Sequence, residues 1–196
     1  MLFKEIVYGP IHSRRLGTSL GMEIMPLEHK LCTFNCVYCE CGWNEPVMHP
    51  VLPTREEIRT ALEAKLRAMV NGSSPDGSSL DVITFSGNGE PTLHPHFADV
   101  VHDVLLLRDR YFPQAKVSVL TNATTAGNPL VVNALLKVDN NIVKLDSAIA
   151  HTLRVINRPV SPQVLPLGII ADLKTFGGKC IVQTMMVRGE YDGERF

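Results

Sequence analysis

The sequence predicts an α/β fold with a parallel sheet, and three observations carry that reading. Short apolar runs alternate with segments of helical periodicity, which is the pattern of βαβ units. The composition, 45% apolar and 20% charged over 196 residues, is that of a globular protein. The unusual residues fall just after the strands, on the edge where right-handed crossovers gather every such loop. Disordered, collagen-like and coiled-coil readings are excluded, and so is a complete eight-fold barrel, which needs about 250 residues.

Leu20 to Pro26 is an apolar-rich run read as the first strand. Thr54 to Val70 is a helix. Thr54 and Glu57 form its capping box, and Ile58, Ala61, Leu62, Leu66 and Met69 follow helical spacing with Lys65 able to snorkel. Asn71 to Ser79 is rich in turn formers and reads as a surface loop. Leu80 to Phe85 is a buried-type strand leading into Ser86-Gly87-Asn88-Gly89-Glu90. Pro95 to Arg110 is a second helix, with Phe97, Val100, Val101, Val104 and Leu105 on one face. Lys116 to Leu120 is a valine-rich strand. Asn128 caps a helix whose first residue is Pro129. Ile142 to Leu145 is the fourth strand. Ser161-Pro162 opens another helix that Gly177-Gly178 closes. Cys180 to Val187 is the fifth strand.

Nineteen Lys and Arg against 20 Asp and Glu leave a net charge of −1. Nucleic-acid binding thus gains no general electrostatic support, although a local basic patch stays open. No apolar run approaches the roughly 20 residues of a membrane span. The N-terminus has no signal-peptide layout. A cytoplasmic protein with no membrane partner is expected.

Four of the five cysteines fall within ten residues: Cys32, Cys36, Cys39 and Cys41. In a reducing compartment such a cluster is metal-binding or catalytic more often than disulfide-forming. The spacing of the first three is C-x3-C-x2-C. Thiolates suit iron–sulfur clusters, zinc or copper(I). Three of them on a short loop can hold three corners of a cubane cluster and leave the fourth iron open. Two closed alternatives stay in view: a structural zinc site, or an electron-transfer cluster, each with Cys41 as fourth ligand. Buried thiols without a metal are the third. Cys180 reads as a buried strand residue.

C-x3-C-x2-C with Tyr38 just before the third cysteine, following a first strand, resembles the signature of the radical S-adenosylmethionine (radical SAM) superfamily. Phe85 to Leu93 looks like its Gly-Gly-Glu segment with one residue between the glycines. The stretch from Gly9 to Gly21, and Ile156-Asn157-Arg158-Pro159, resemble the small members related to the wybutosine tRNA-modifying enzymes. The resemblance runs from about Gly9 to Gly189.

That resemblance implies a partial (β/α) barrel. It implies a [4Fe-4S] cluster on Cys32, Cys36 and Cys39, with S-adenosylmethionine (SAM) on the open iron. Reductive cleavage of SAM then gives a 5′-deoxyadenosyl radical that abstracts hydrogen from a substrate. By the same resemblance Tyr38, Gly87, Asn88, Gly89, Glu90, Asn122 and Asp146 are the cofactor-binding residues. Glycines suit close approach of a ligand, and an Asp can accept ribose hydroxyls. The plainer readings are a strand-to-helix turn for the glycine segment and cap or turn residues for Asn122 and Asp146, with Lys144 pairing a local acid. Arg14 and Arg15 are candidates for holding a substrate phosphate or carboxylate, or else a surface pair. His94 and His96 read as surface residues at a helix start. Implied partners are a one-electron reductant such as flavodoxin or ferredoxin, and a substrate that is a tRNA, a metabolite or a peptide. The expected organisation is a single radical SAM core domain over 1–196 with five parallel strands. A sixth strand and its helix are missing from it, so a partner or a further C-terminal segment would complete the sheet.

Overall fold

The computed structural model describes residues 1–72 and 79–195. The loop expected from Asn71 to Ser79 therefore lies mostly outside the described residues. One six-stranded sheet organises the chain, in the order β1 (Val7–Ser13), β2 (Gly17–Met22), β3 (Val82–Phe85), β4 (Lys116–Thr121), β5 (Asn140–Lys144) and β6 (Ile181–Gln183). β2 to β6 are parallel, the five strands that the alternation predicts. β1 runs antiparallel to β2 at one edge and was not predicted. A hairpin carries no helical crossover, so the βαβ pattern does not reveal it. The sheet does not close into a barrel among the described residues.

The helices follow in order: α1 (Arg55–Val70), α2 (Phe97–Tyr111), α3 (Pro129–Leu135), α4 (Ala150–Asn157) and α5 (Pro166–Leu173). Two starts are as the sequence predicts. Thr54 Oγ1 accepts from Glu57 N at 3.2 Å while Glu57 Oε2 accepts from Thr54 N at 2.7 Å. Asn128 Oδ1 accepts from Leu130 N at 3.0 Å ahead of Pro129. α4 was not predicted. The last helix begins at Pro166, not at Ser161-Pro162, and a 3-10 turn over Lys174–Phe176 carries it on to Gly177, which is left-handed at φ 56°. A two-stranded hairpin, β7 (Glu190–Tyr191) and β8 (Glu194–Arg195), follows β6.

Strand alternation gives the sheet two unlike faces. Leu20, Met22, Ile83, Phe85, Val117 and Val119 join one core with Ile58, Leu62 and Leu66 of α1 and Val100, Val101 and Val104 of α2. Fully burying each such side chain contributes roughly 2 kcal/mol. The intervening residues are more polar. Parallel pairing sets Gly21, Thr84, Ser118 and Asn140 side by side in one layer. Within it Asn140 Nδ2 donates to Ser118 Oγ at 2.9 Å, and Thr84 bonds Ser19 Oγ at 2.9 Å. This face lines a cavity of about 670 Å³ that touches Tyr8 and Ser13 of β1 and Ile181 and Gln183 of β6. The two edges thus curl toward one space.

Candidate active site

A second cavity, of about 370 Å³, opens at the carboxyl ends of the parallel strands, where this class of sheet binds ligands. The two cavities share Phe3, Ser86, Leu120, Ile142 and Gln183 in their walls, so they adjoin. Cys32, Cys36, Cys39 and Cys41 line the second one, with Tyr38, Gly87, Gly89, Glu90, Asn122 and Lys144. Of the sequence-predicted residues, Asn88, Asp146, Arg14 and Arg15 are not in its wall.

The cysteine loop is bonded to its neighbours along both sides. Leu31 N donates to Asn88 O at 3.1 Å, and Glu90 N donates to Leu31 O at 3.0 Å. A side chain on Gly89 would overlap the Leu31 carbonyl. On the other side Val37 N donates to Ile156 O at 2.8 Å and Val160 N to Thr33 O at 2.9 Å. The Ile156 to Pro159 stretch therefore serves as a support of the loop. Asn44 closes it from within: its Oδ1 accepts from Cys32 N, and its Nδ2 donates to Cys32 O, both at 2.8 Å. Nothing in the local pattern around Asn44 marks it, because its partners are backbone groups set by the fold.

Glu23, one residue past β2, is a second group that the sequence did not disclose. It is 1% exposed. Its Oε1 accepts from Met25 N at 2.7 Å and its Oε2 from Asn88 N. A side chain on Gly87 would overlap Oε2, so glycine there lets the carboxylate reach the loop. Burial pushes this carboxyl up to about 7 from its ordinary 4.5. Between those values the folded state binds more proton than the unfolded chain, so Glu23 lowers stability as pH rises through that window. The effect amounts to about 3 kcal/mol. Glu23→Gln should therefore gain on wild type in thermal melts from about pH 5 to about pH 8. A difference that stays constant across that range would refute the assignment.

The thiols sit in unlike surroundings. Cys32 Sγ accepts from Phe34 N at 3.4 Å and faces Asn122 Nδ2 at 3.6 Å, and burial pushes its thiol up to about 12. Cys36 Sγ accepts from Asn157 Nδ2 at 3.4 Å, and burial raises it as well. Cys41 Sγ donates to Gly87 O at 3.3 Å and lies beside Cys39. The Cys41 thiol, helped by the Lys30 ammonium, holds Cys39 well below the usual thiol range. Cys41 itself, keeping the proton, is pushed up.

Several polar groups at the rim are committed to the protein itself. Glu90 accepts from Thr92 Oγ1 at 2.6 Å, Thr121 Oγ1 at 2.7 Å and Asn122 N at 2.7 Å, and burial raises its carboxyl. It ties the glycine segment to the end of β4. The Asn88 side chain bonds Phe3 N and O at 2.8 and 2.9 Å and Pro26 O at 3.0 Å. Asp146 accepts from Tyr38 OH, from Asn157 Nδ2 and, at 2.8 Å, from Met185 N. It also pairs with Lys144 at 3.5 Å, the local pairing that the sequence left open. Asn122 Nδ2 donates to Thr33 Oγ1 at 2.8 Å. The groups that face the cavity with fewer internal bonds are the backbone at Gly87 and Gly89 and the Lys144 ammonium, which also lies 4.7 Å over the Tyr38 ring. Asn157 Oδ1 is buried without a partner.

Arg14 and Arg15 occupy the hairpin between β1 and β2, at the opposite end of the sheet from the cysteines. The six residues of β2, roughly 20 Å, separate the two ends. Arg15 still lines the larger cavity at its far end. His94 departs from the surface position expected for it. It is 3% exposed, its Nε2 meets Pro53 O at 2.9 Å, and its Nδ1 accepts from His96 N at 3.1 Å. Cys180 is half-buried and lies just before β6.

The donor chemistry fits an iron–sulfur cluster. Three partly buried thiols, two of them with N–H···S contacts, line one cavity with the Gly87 and Gly89 backbone and the Lys144 ammonium. Among the described residues no three His, Cys, Asp or Glu side chains converge on a point that one metal ion could fill. A cluster asks instead for separate thiolates on separate irons.

Several solved structures share this architecture. Streptococcus suis SuiB bound to S-adenosylmethionine superposes with a TM-score of 0.50 at 18% identity, over 84% of this chain and 32% of that one. Archaeal TYW1 gives 0.53 at 13%, over 87% and 56%. Native anSMEcpe with bound AdoMet gives 0.52 at 15%, over 79% and 40%. The chain has the radical SAM fold. In sequence it is similar to UPF0026 proteins: 29% identical to one of Helicobacter pylori, 32% to one of Methanocaldococcus jannaschii and 33% to one of Synechocystis, over 93 to 95% of this chain. It spans 58, 54 and 64% of those proteins' lengths. No family model matches it. No helix among the described residues is long and apolar enough to cross a membrane.

Proposed function

We propose that the chain is the core domain of a radical SAM enzyme, with residues 1–196 acting as one unit in a reducing cytoplasm. One observation carries the reading: three thiols with the C-x3-C-x2-C spacing line the cavity at the carboxyl ends of the parallel strands, opposite the Gly87–Gly89 backbone. In this reading Cys32, Cys36 and Cys39 hold a [4Fe-4S] cluster. When bound, the cluster supplies the single electron that cleaves SAM and so starts hydrogen abstraction.

The chain's own residues bind and orient. Glu23 and Glu90 fix the glycine segment from either side, so that its backbone groups can meet the methionine ammonium. Lys144 offers a cation for the carboxylate, and Tyr38 a ring beside the adenine. Asn122 and Asp146 hold the ends of β4 and β5 in place. The larger cavity receives the substrate, with Leu120 and Ile142 in the wall that it shares with the cysteine cavity. A flavodoxin- or ferredoxin-like protein supplies the electron.

The test is anaerobic reconstitution with iron and sulfide, reduction, addition of SAM and an assay for 5′-deoxyadenosine, which forms without substrate. A fully loaded protein that makes none would sink the proposal.

The position of Cys41 favours a second reading, a closed four-thiolate site, because its thiol lies beside Cys39 in the same cavity. Cys41→Ala separates the two. An open site keeps its full iron content and its 5′-deoxyadenosine yield, whereas a closed site loses iron.

A further inference from the structure

We infer that the Asn157 side chain sets the reduction potential of the three-cysteine site through a hydrogen bond to the Cys36 sulfur. The inference rests on reading Cys32, Cys36 and Cys39 as cluster ligands. Asn157 Nδ2 donates to Cys36 Sγ at 3.4 Å. The residue ends α4 and is 1% exposed. It is not in the cavity wall, so the bond leaves the open side of the site to a ligand.

Backbone pairing fixes this contact. Cys36 stands between Asn35 and Val37, and both neighbours are bonded to the end of α4. Asn35 N donates to Asn157 O at 3.0 Å, and Val37 N donates to Ile156 O at 2.8 Å. Bonds on either side of Cys36 therefore hold the sulfur and the amide in register. Asp146 fixes which way the amide faces. Its Oδ2 accepts from Asn157 Nδ2, and an ionised carboxylate can only accept. The nitrogen is thereby turned to the sulfur and the amide oxygen away from it, buried without a partner. A buried amide that uses its donors and leaves its acceptor unpaired is placed there for its N–H groups.

Two N–H groups serve three acceptors. One goes to Asp146, and the other lies within reach of both Cys36 Sγ and, at 3.1 Å, Tyr38 OH. Tyr38 gives its own proton to Asp146, so its oxygen is free to accept. A ligating thiolate carries negative charge and is the stronger acceptor of the two. Reduction brings in one electron from a flavodoxin- or ferredoxin-type donor, with no bond broken and no proton moved at Asn157. It adds negative charge at the sulfurs, so the N–H···S bond strengthens and favours the reduced state. Asn157 is thus a positioning residue that acts through Cys36. Asn122, the amide facing Cys32, stands farther off at 3.6 Å and is committed to Thr33 Oγ1 at 2.8 Å.

The experiment compares wild type, Asn157→Leu and Tyr38→Phe, each reconstituted with iron and sulfide, by EPR-monitored redox titration without SAM. Asn157→Leu keeps the volume and loses the donor, so its midpoint should fall below that of wild type. Tyr38→Phe removes the competing oxygen and leaves the amide, so its midpoint should stay at the wild-type value or rise. Pulsed EPR of the reduced cluster should show one exchangeable proton fewer in Asn157→Leu. An unchanged midpoint in a fully loaded Asn157→Leu overturns the inference, and so does a Tyr38→Phe midpoint that falls as far. Should Asn157→Leu not hold iron, Asn157→Ala loses the same donor without the branched side chain and is titrated in its place. If both variants lose iron, the amide serves assembly, and the potential-setting role falls. Wild type that takes up no iron sinks the cluster reading itself, a result distinct from any of these.

Discussion

Cys32→Ala is expected to abolish iron uptake and to take 5′-deoxyadenosine formation to background while the domain stays folded. Cys32 is the thiol held most closely by its surroundings. Asn44 fixes its backbone from both sides, and Phe34 N and Asn122 Nδ2 address its sulfur. The alanine keeps those backbone bonds and loses only the ligand, so the stability loss should be about 1 kcal/mol. The chemistry has no substitute for the missing thiolate, because the other thiols of the loop are placed by their own turns. Iron content, visible absorbance and a thermal melt decide the matter together. Cys180→Ala is the control: it lies outside the cavity and should keep both iron and activity. A Cys32→Ala protein with wild-type iron would remove the ligand assignment.

The second large effect is expected at Gly89. In Gly89→Ala the new methyl group meets the Leu31 carbonyl, which is backbone and cannot rotate away. The two strands of the Leu31–Gly89 bridge must separate, and the bonds from Leu31 N to Asn88 O and from Glu90 N to Leu31 O weaken with them. Overpacking costs about 1–3 kcal/mol, and each weakened bond about 1 kcal/mol more. For a chain of this size a loss of about 3 kcal/mol lowers the melting temperature by roughly 10 °C. The cysteine loop and the glycine segment also move apart, so SAM binding measured by equilibrium dialysis should fall sharply. Gly168→Ala is the counter-test. It sits in α5 with open space around it, and alanine there should stabilise the helix by about 0.5–1 kcal/mol. Gly89→Ala melting like wild type would show that the close approach is not required.

How far the site was legible follows from the range of each interaction. Thr54 with Glu57 and Asn128 with Pro129 are contacts within one turn, so the residues alone define them. The parallel sheet follows from apolar runs alternating with helical spacing, since each run must bury a face. The cysteine spacing is local too, and chemistry restricts what three thiols so placed can bind. The radical SAM fold was thus within reach of the primary structure.

What the chain order alone does not specify is which polar side chains face the ligand and which hold the frame. Glu90 and Asp146 look alike in sequence to groups aimed at a cofactor. In the fold, partners from β4, α4 and the segment after β6 take up their oxygens. Glu23, Lys30 and Asn44 carry no motif, and they become conspicuous only when packing buries a charge or an amide against partners far along the chain. Arg14 and Arg15 lie 18 and 17 positions before Cys32, yet antiparallel pairing of β1 with β2 sends them to the other end of the sheet. Spacing within a few residues determines the elements and the ligand set. Burial, register and strand direction are properties of the assembled sheet, and they decide which of the candidate groups remain free for a ligand.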